Sequence, residues 1–217
     1  MDLLESGKQI VELEIVALRS VAAHMGEEFA QAVRLISECK GRVIVTGVGK
    51  AGIIGQKVSA TLASTGTPSY WMHAVEARHG DLGRVLPQDI VLVLSNSGET
   101  EVVQLLVPLK KLNTKIIAIT GSPDSTLARY SDVVLNIGRI EEACPLGLAP
   151  SCTTTAMLAL GDALALTLFK MRNLTKEDYA FFHPGGALGR RLITVSEAMR
   201  IGRRNPVAHQ GVPVRKA

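Results

Sequence analysis

The stretch from Ile90 to Leu112 constrains this chain most: IVLVLS, then NSGET, then EVVQLLVPLKKL. A short unbroken run of β-branched and aliphatic side chains is the pattern of a strand buried on both faces, as in parallel sheets. Beyond the turn, Val102, Leu105, Leu106, Leu109 and Leu112 recur at helical spacing. Between strand and helix stand Ser95, Asn96, Ser97, Gly98 and Thr100. A helix start offers unpaired N–H groups and the positive end of the macrodipole, and hydroxyls beside it add donors suited to a phosphate. Ser and Asn also cap helices that bind nothing. On the turn alone, an anion site and an ordinary N-cap both remain open.

Length and composition set the outer bounds. A chain of 217 residues, 47% apolar with 20 glycines, is enough for one α/β domain with a real core. The formal net charge of +4 is inflated by Arg200, Arg203, Arg204, Arg215 and Lys216 near the end. Without them the body is close to neutral, which argues against a nucleic-acid partner. Cys39, Cys144 and Cys152 form no CxxC pair and suit free thiols in a reducing compartment. No leader pattern is evident, and the longest apolar run, Met157 to Phe169, is broken by Gly161 and Asp162 and is too short to span a bilayer. The expectation is a cytoplasmic chain with no membrane partner.

In chain order, residues 2 to 25 and about 27 to 39 read as helices. The first carries a stripe of Leu4, Val11, Ile15, Leu18, Ala22 and Met25 that covers either its own sheet or a partner subunit. Arg42 to Thr46 is the first strand and runs into GVGKAG, Gly47 to Gly52. The glycines let backbone approach a ligand closely. They spell GxGxxG, but the acid expected some twenty residues on is missing, so a dinucleotide site is not supported. Ser69 to Met72, Ile90 to Ser95, Lys115 to Thr120 and Val133 to Ile137 complete five strands, with EARHGDLGRV as a loop after the second. The proline-bounded loop Glu141 to Pro150 leads into an apolar helix, Cys152 to Met171, in which Asp162 reads as a structural acid with a partner. Thr175 caps a further helix that ends at Phe182, ahead of HPGGALGRRL.

Strands separated by helices imply a parallel sheet with right-handed crossovers. The fold expected is a doubly wound three-layer α/β/α sandwich with a five-stranded parallel sheet in the order 2-1-3-4-5. In that order the GVGKAG and SNSGET turns sit side by side where the topology reverses, which is where open α/β sheets bind ligands. Lys50 and several hydroxyls then converge, and phosphate binding becomes the leading expectation.

These segments carry a resemblance. GVGKAG, STGTPS, HGDLG, SNSGET, EEACPLGLAPSCTTT and HPGGALGR are similar to those of sugar isomerase (SIS) domains, and more narrowly of the D-arabinose 5-phosphate isomerases of Kdo and lipopolysaccharide precursor synthesis. The resemblance covers roughly residues 5 to 195. It implies the SIS fold over 1–191. Residues 192–217, with VSEAMRIGRRNPV, then correspond to the truncated start of a CBS module, extended or disordered. It implies interconversion of D-ribulose 5-phosphate and D-arabinose 5-phosphate through a cis-enediol. No cofactor is required, and the assembly is a homo-oligomer, a tetramer with sites at subunit contacts. The family's catalytic set falls on Lys50, Glu101, Glu142 and His183, with Glu99 competing for the role of Glu101. Ser95, Asn96, Ser97, Thr100 and Gly49 are implied at the phosphate, with Gly66, Thr67 and His79 along the sugar. The position of His73 takes adventitious metal in the family. One departure is Ala51, where relatives carry Ser after the lysine.

The residue types suit that chemistry. A carboxylate can move a proton between C1 and C2, and a cation can stabilise the developing oxyanion. On residues alone each candidate has a plainer role: Glu99 and Glu101 as acids at a helix start, Lys50 as a solvated charge, His183 as a hydrogen-bonded loop residue. Two alternatives stand beside the pentose isomerase: an isomerase of another sugar phosphate, and a non-catalytic sugar-phosphate-sensing SIS module.

Overall fold

A computed structural model describes residues 2–184 and Met199. The chain divides into two compact units, one ending at Leu174 and one opening at Thr175. The boundary expected at 191/192 and the segment after it lie outside the described residues.

The first unit is built on five strands: β1 (Val43–Gly47), β2 (Ser69–Trp71), β3 (Ile90–Leu94), β4 (Lys115–Thr120) and β5 (Val133–Asn136). They pair in parallel in the order β2-β1-β3-β4-β5, as expected. Alternation along the strands splits the core in two. Val43, Val45, Ile90, Leu92, Leu94, Ile117 and Ile119 face a layer formed by α2 (Glu27–Glu38), α3 (Gly49–Ser64) and α7 (Cys152–Met171). Ile44, Val91, Val93, Ile116 and Ala118 face α4 (Ala74–Arg78), α5 (Leu106–Lys111) and α6 (Thr126–Tyr130). Period-2 side chains buried on both faces are what the unbroken apolar strands require.

Two details differ from the sequence expectation. The segment read as a loop after β2 holds α4, capped by the His73 ring accepting from the Val75 amide at 3.3 Å, and a 3-10 turn at Asp81–Arg84. The helix expected after SNSGET starts as a 3-10 turn, Glu101–Leu105, and becomes α-helical only at α5. Pro108 explains this: it has no N–H for the Gln104 carbonyl, and its ring crowds that oxygen. The helix α7 has the bounds expected, and its 20 residues are long enough to cross a membrane by length and composition, although the apolar run within it, Met157 to Phe169, is shorter. Here it is a core helix, burying Ala156, Leu160, Leu164 and Leu168 against the sheet layer.

The helix α1 (Leu3–His24) starts at Asp2, whose carboxylate accepts from the amides of Leu4 and Glu5. Only Ala17 and Val21 are buried along it; Leu4 and Val11 are 69% and 58% exposed. The stripe therefore does not cover its own sheet over most of its length. Asp162 finds its partner within the chain: Lys57 on α3 donates to both oxygens at 2.5 and 2.6 Å. Beside that pair Gly161 leaves room for Val58, so α3 and α7 pack closely. In the second unit Thr175 and Asp178 form a reciprocal capping box that starts α8 (Lys176–Phe181).

Asp132, at the approach to β5, ties the far edge of the sheet. It accepts from Lys110 at 2.8 Å, Lys115 at 3.0 Å and the Ile116 amide at 2.9 Å. Partial burial pushes its carboxyl up, but the Lys110 bond, the Ile116 amide and Lys115 outweigh it and hold the pKa below the ordinary range. A depressed pKa contributes stability above the unfolded value near 4, lost as pH falls through the folded value. Asp132→Asn should therefore lower stability at pH 7 by about 1 kcal/mol or less, given solvent screening. The gap from wild type should narrow as pH falls below the ordinary Asp range and through the depressed folded value, as read by thermal melts across pH.

Candidate functional site

The crevice lies where the topology reverses, between the carboxyl ends of β1 and β3. Gly47 closes β1 opposite Leu94. A Cβ at Gly47 would stand 2.9 Å from the Leu94 carbonyl oxygen, and one at Gly52 would stand 3.0 Å from the Gly47 carbonyl oxygen. Both glycines are thus demanded by close backbone approach. Gly49 differs: nothing lies within 4 Å of its Cβ position, but φ is +61°, which favours glycine. The GxGxxG spacing is accounted for by strand-to-helix packing, without a dinucleotide.

A cavity of about 240 Å³ opens there, below the usual range for drug-sized ligands and suited to a small metabolite. The start of α3 lends Lys50 and Ala51, and the turn after β3 lends Ser95, Asn96, Ser97 and Thr100. The first turns of α7 lend Thr153, Thr154 and Met157. A hollow of about 300 Å³ between the α1–α2 junction and β5, bordered by His24, Phe29 and Asn136, has none of these converging hydroxyls.

The turn after β3 is held by its own side chains. The buried Ser95 hydroxyl oxygen accepts from the Gly98 amide at 3.1 Å and bonds the Thr100 hydroxyl at 3.0 Å. The carbonyl oxygen of Asn96 accepts from the Gly121 amide and the Thr120 hydroxyl, both at 3.1 Å, which fastens the turn to the end of β4. Ser97 accepts from the Glu99 amide at 3.2 Å.

Two long helices present their N-termini here, in different states. The helix α3 has Val48 at its N-cap, no side-chain cap and no acid in its first turn. The helix α7 is capped from a distance by Glu142, whose Oε2 accepts from the Ser151 amide at 2.7 Å and the Cys152 amide at 2.8 Å. Its Oε1 accepts from the Thr153 hydroxyl. One helix start is thus met by a carboxylate of the chain, and the other has no side-chain cap.

Of the residues expected at the site, Lys50, Ser95, Asn96, Ser97 and Thr100 border the cavity together. Glu142 reaches its rim through Thr153. Glu101 follows Thr100, is exposed, and makes no side-chain hydrogen bond among the described residues. Glu99 turns away: its carboxylate accepts from the Thr126 amide at 2.6 Å. That bond, the Thr126 hydroxyl and Arg129 hold its pKa below the ordinary range. Gly66 and Thr67 follow the far end of α3, about 24 Å from Gly49 at 1.5 Å per residue, so they do not border the cavity of their own chain. Thr67 is buried there with its hydroxyl unpartnered among the described residues. His79 is exposed at the end of α4 and also stays off the cavity wall.

The ring of His73 caps α4, and among the described residues no group of three or more His, Cys, Asp or Glu could hold a metal. His183 belongs to the second unit, where its Nδ1 lies 2.8 Å from the Tyr179 carbonyl oxygen and its ring stacks on Tyr179 at 4.1 Å. Sequence reasoning passed over Thr153, Thr154 and Met157. The available signal was the threonine run immediately inside a helix start.

The fold and crevice define a class: doubly wound α/β proteins with a small crevice at the switch point, bordered here by a lysine and several hydroxyls. The chain belongs to the SIS domain family, whose model matches residues 35–167. Among similar proteins is arabinose 5-phosphate isomerase KdsD of Escherichia coli (strain K12), 47% identical over 218 residues, covering 100% of this chain and 66% of that protein. The KdsD of Pseudomonas aeruginosa is 49% identical over 204 residues, covering 93% of this chain and 63% of that protein. The chain thus spans just under two thirds of the length of these curated relatives. A solved structure of an Escherichia coli protein in complex with arabinose 5-phosphate superposes with a TM-score of 0.82 at 43% identity, covering 84% of this chain and 98% of that one.

Gly98 carries the turn's geometry, with φ at +64° and a Cβ position that overlaps the Ser125 hydroxymethyl group. Gly98→Ala should cost about 1–3 kcal/mol in denaturant melts. It should also speed hydrogen exchange at residues 95–100.

Proposed function

We propose that this chain is an aldose–ketose isomerase that interconverts D-arabinose 5-phosphate and D-ribulose 5-phosphate, with residues 1–191 as its catalytic domain and 192–217 as the opening of a CBS module. The observation that carries this reading is the cavity at the switch point. It joins an uncapped helix start, Lys50 and a turn of hydroxyls. A phosphate suits the α3 start and the Ser95–Thr100 turn, where amides and hydroxyls supply donors without a fixed charge of the same sign. The names of the similar proteins support the choice of substrate.

The reaction then follows from the groups at hand. The ring opens to a free carbonyl, with His183 assisting. A carboxylate removes the proton from C2 of the aldose while the C1 oxygen gains one, giving the cis-enediol. Return of a proton to C1 and loss of one from the C2 oxygen gives the ketose. Glu142 is the better-placed base, because its carboxylate is held by Thr153, which borders the cavity, whereas Glu101 is exposed and untethered among the described residues. Lys50 steadies the oxyanion that develops during proton transfer. Gly66, Thr67 and His79 take part where a homotetramer brings them to a neighbouring copy's cavity. Such an enzyme works in the cytoplasm on a soluble phosphosugar.

The test is isomerisation of a phosphosugar panel in D₂O followed by NMR, reading deuterium at the carbon that exchanges. Arabinose 5-phosphate should be converted with exchange at C2. Glu142→Gln should reduce turnover at least a hundredfold, a typical contribution of acid–base catalysis, with binding of the sugar phosphate retained. Binding without exchange in the wild-type chain would instead identify a sensor.

A further inference from the structure

The bonds around Glu142 separate its two oxygens. Oε2 is pinned by the Ser151 and Cys152 amides at 2.7 and 2.8 Å, with the Ser151 hydroxyl at 3.5 Å. These contacts cap two amides at the start of α7 without drawing on Oε1. Oε1 has one donor among the described residues, the hydroxyl of Thr153. Thr153 is 2% exposed, and it borders the cavity while Glu142 does not. Its neighbour Thr154 follows the usual habit of helical threonines and gives its proton to backbone, the carbonyls of Ser151 at 2.9 Å and Pro150 at 3.3 Å. Thr153 departs from that habit.

We infer that Thr153 is a positioning residue for the isomerisation: its hydroxyl fixes the orientation of the Glu142 carboxylate relative to the cavity. This rests on the isomerase reading above. The terminal torsion of a glutamate is broad and roughly two-fold, so pinning Oε2 leaves the carboxylate plane free to pivot. The second bond removes that freedom and holds Oε1 on the cavity side of the helix start. A hydroxyl that donates to a carboxylate also keeps its lone pairs as acceptors, so Thr153 can border a polyhydroxylated ligand at no cost to its grip on Glu142. Helix capping does not require this bond, because Oε2 already meets the two amides. Its role is geometric, in a reaction where small misplacements of a base are expensive.

Thr153→Val keeps the branch and the volume and deletes the donor. On the full chain it should lower kcat roughly tenfold or more, the scale of a lost hydrogen bond to a charged group, with KM within about threefold, since an interaction lost only in the transition state moves kcat. Thr153→Ser should restore kcat to within about threefold of wild type. A crystal structure of Thr153→Val should show Oε1 displaced while Oε2 keeps the Ser151 and Cys152 amides. Wild-type kcat in Thr153→Val, an equal loss in Thr153→Ser, or a rise in KM with kcat unchanged would each overturn the inference. If valine prevents folding, Thr153→Ala against Thr153→Ser makes the same comparison. A wild-type chain inert toward arabinose 5-phosphate would sink the isomerase reading itself; the position of Oε1 in the variant crystals remains a separate test of the Thr153 contact.

Discussion

The carboxyl ends of β1 and β3 approach so closely that position 47 has no room for a side chain. Everything at the crevice depends on that approach. With Gly47 against the Leu94 carbonyl and Gly52 against Gly47, α3 begins almost on top of the strand ends, and Lys50 emerges beside the turn after β3. A methyl group at either glycine would push α3 outward and separate the cation from the hydroxyls. Further along α3, Gly55 receives the edge of Trp71 and Val58 fits over Gly161, so the same helix is seated along its length by absent side chains. The crevice is a consequence of backbone proximity first and of functional side chains second.

The fold was legible in the sequence because its signals are local and repeated. Unbroken runs such as Ile90–Leu94 and Lys115–Thr120 mark buried parallel strands, and the observed bounds fall within a residue or two of those expected. What the sequence hid is set by single residues acting at a distance. Pro108 converts the helix start after SNSGET into a 3-10 turn, which weakens any argument from a macrodipole there and shifts weight to α3. His73 starts a helix in a segment that reads as loop, because a ring nitrogen is an uncommon cap.

The candidate site was partly legible for the same reason. Lys50 and the Ser95–Thr100 turn sit at strand ends that topology alone brings together. Glu99 and Glu101 are indistinguishable by spacing. Only the contact with Thr126 separates them, and that partner lies 27 positions away. Gly66 and Thr67 were placed at the sugar by resemblance, whereas the length of α3 carries them to the opposite edge of the sheet within one chain. The resemblance points to Glu142, yet its bonds to the start of α7 are not readable from spacing, since the proline-bounded loop gives no register.

That loop has a mechanical character that follows from the grip of Glu142 on the start of α7. Glu142 grips Ser151, nine positions on, and so draws the segment between them into a noose whose tip carries Leu146 and Leu148, 77% and 78% exposed. For a noose of this kind the entropy of closure changes slowly with circumference, about 0.6 kcal/mol for each doubling. Lengthening the tip is therefore cheap in closure entropy, while cutting the knot at Glu142 both opens the noose and uncaps α7.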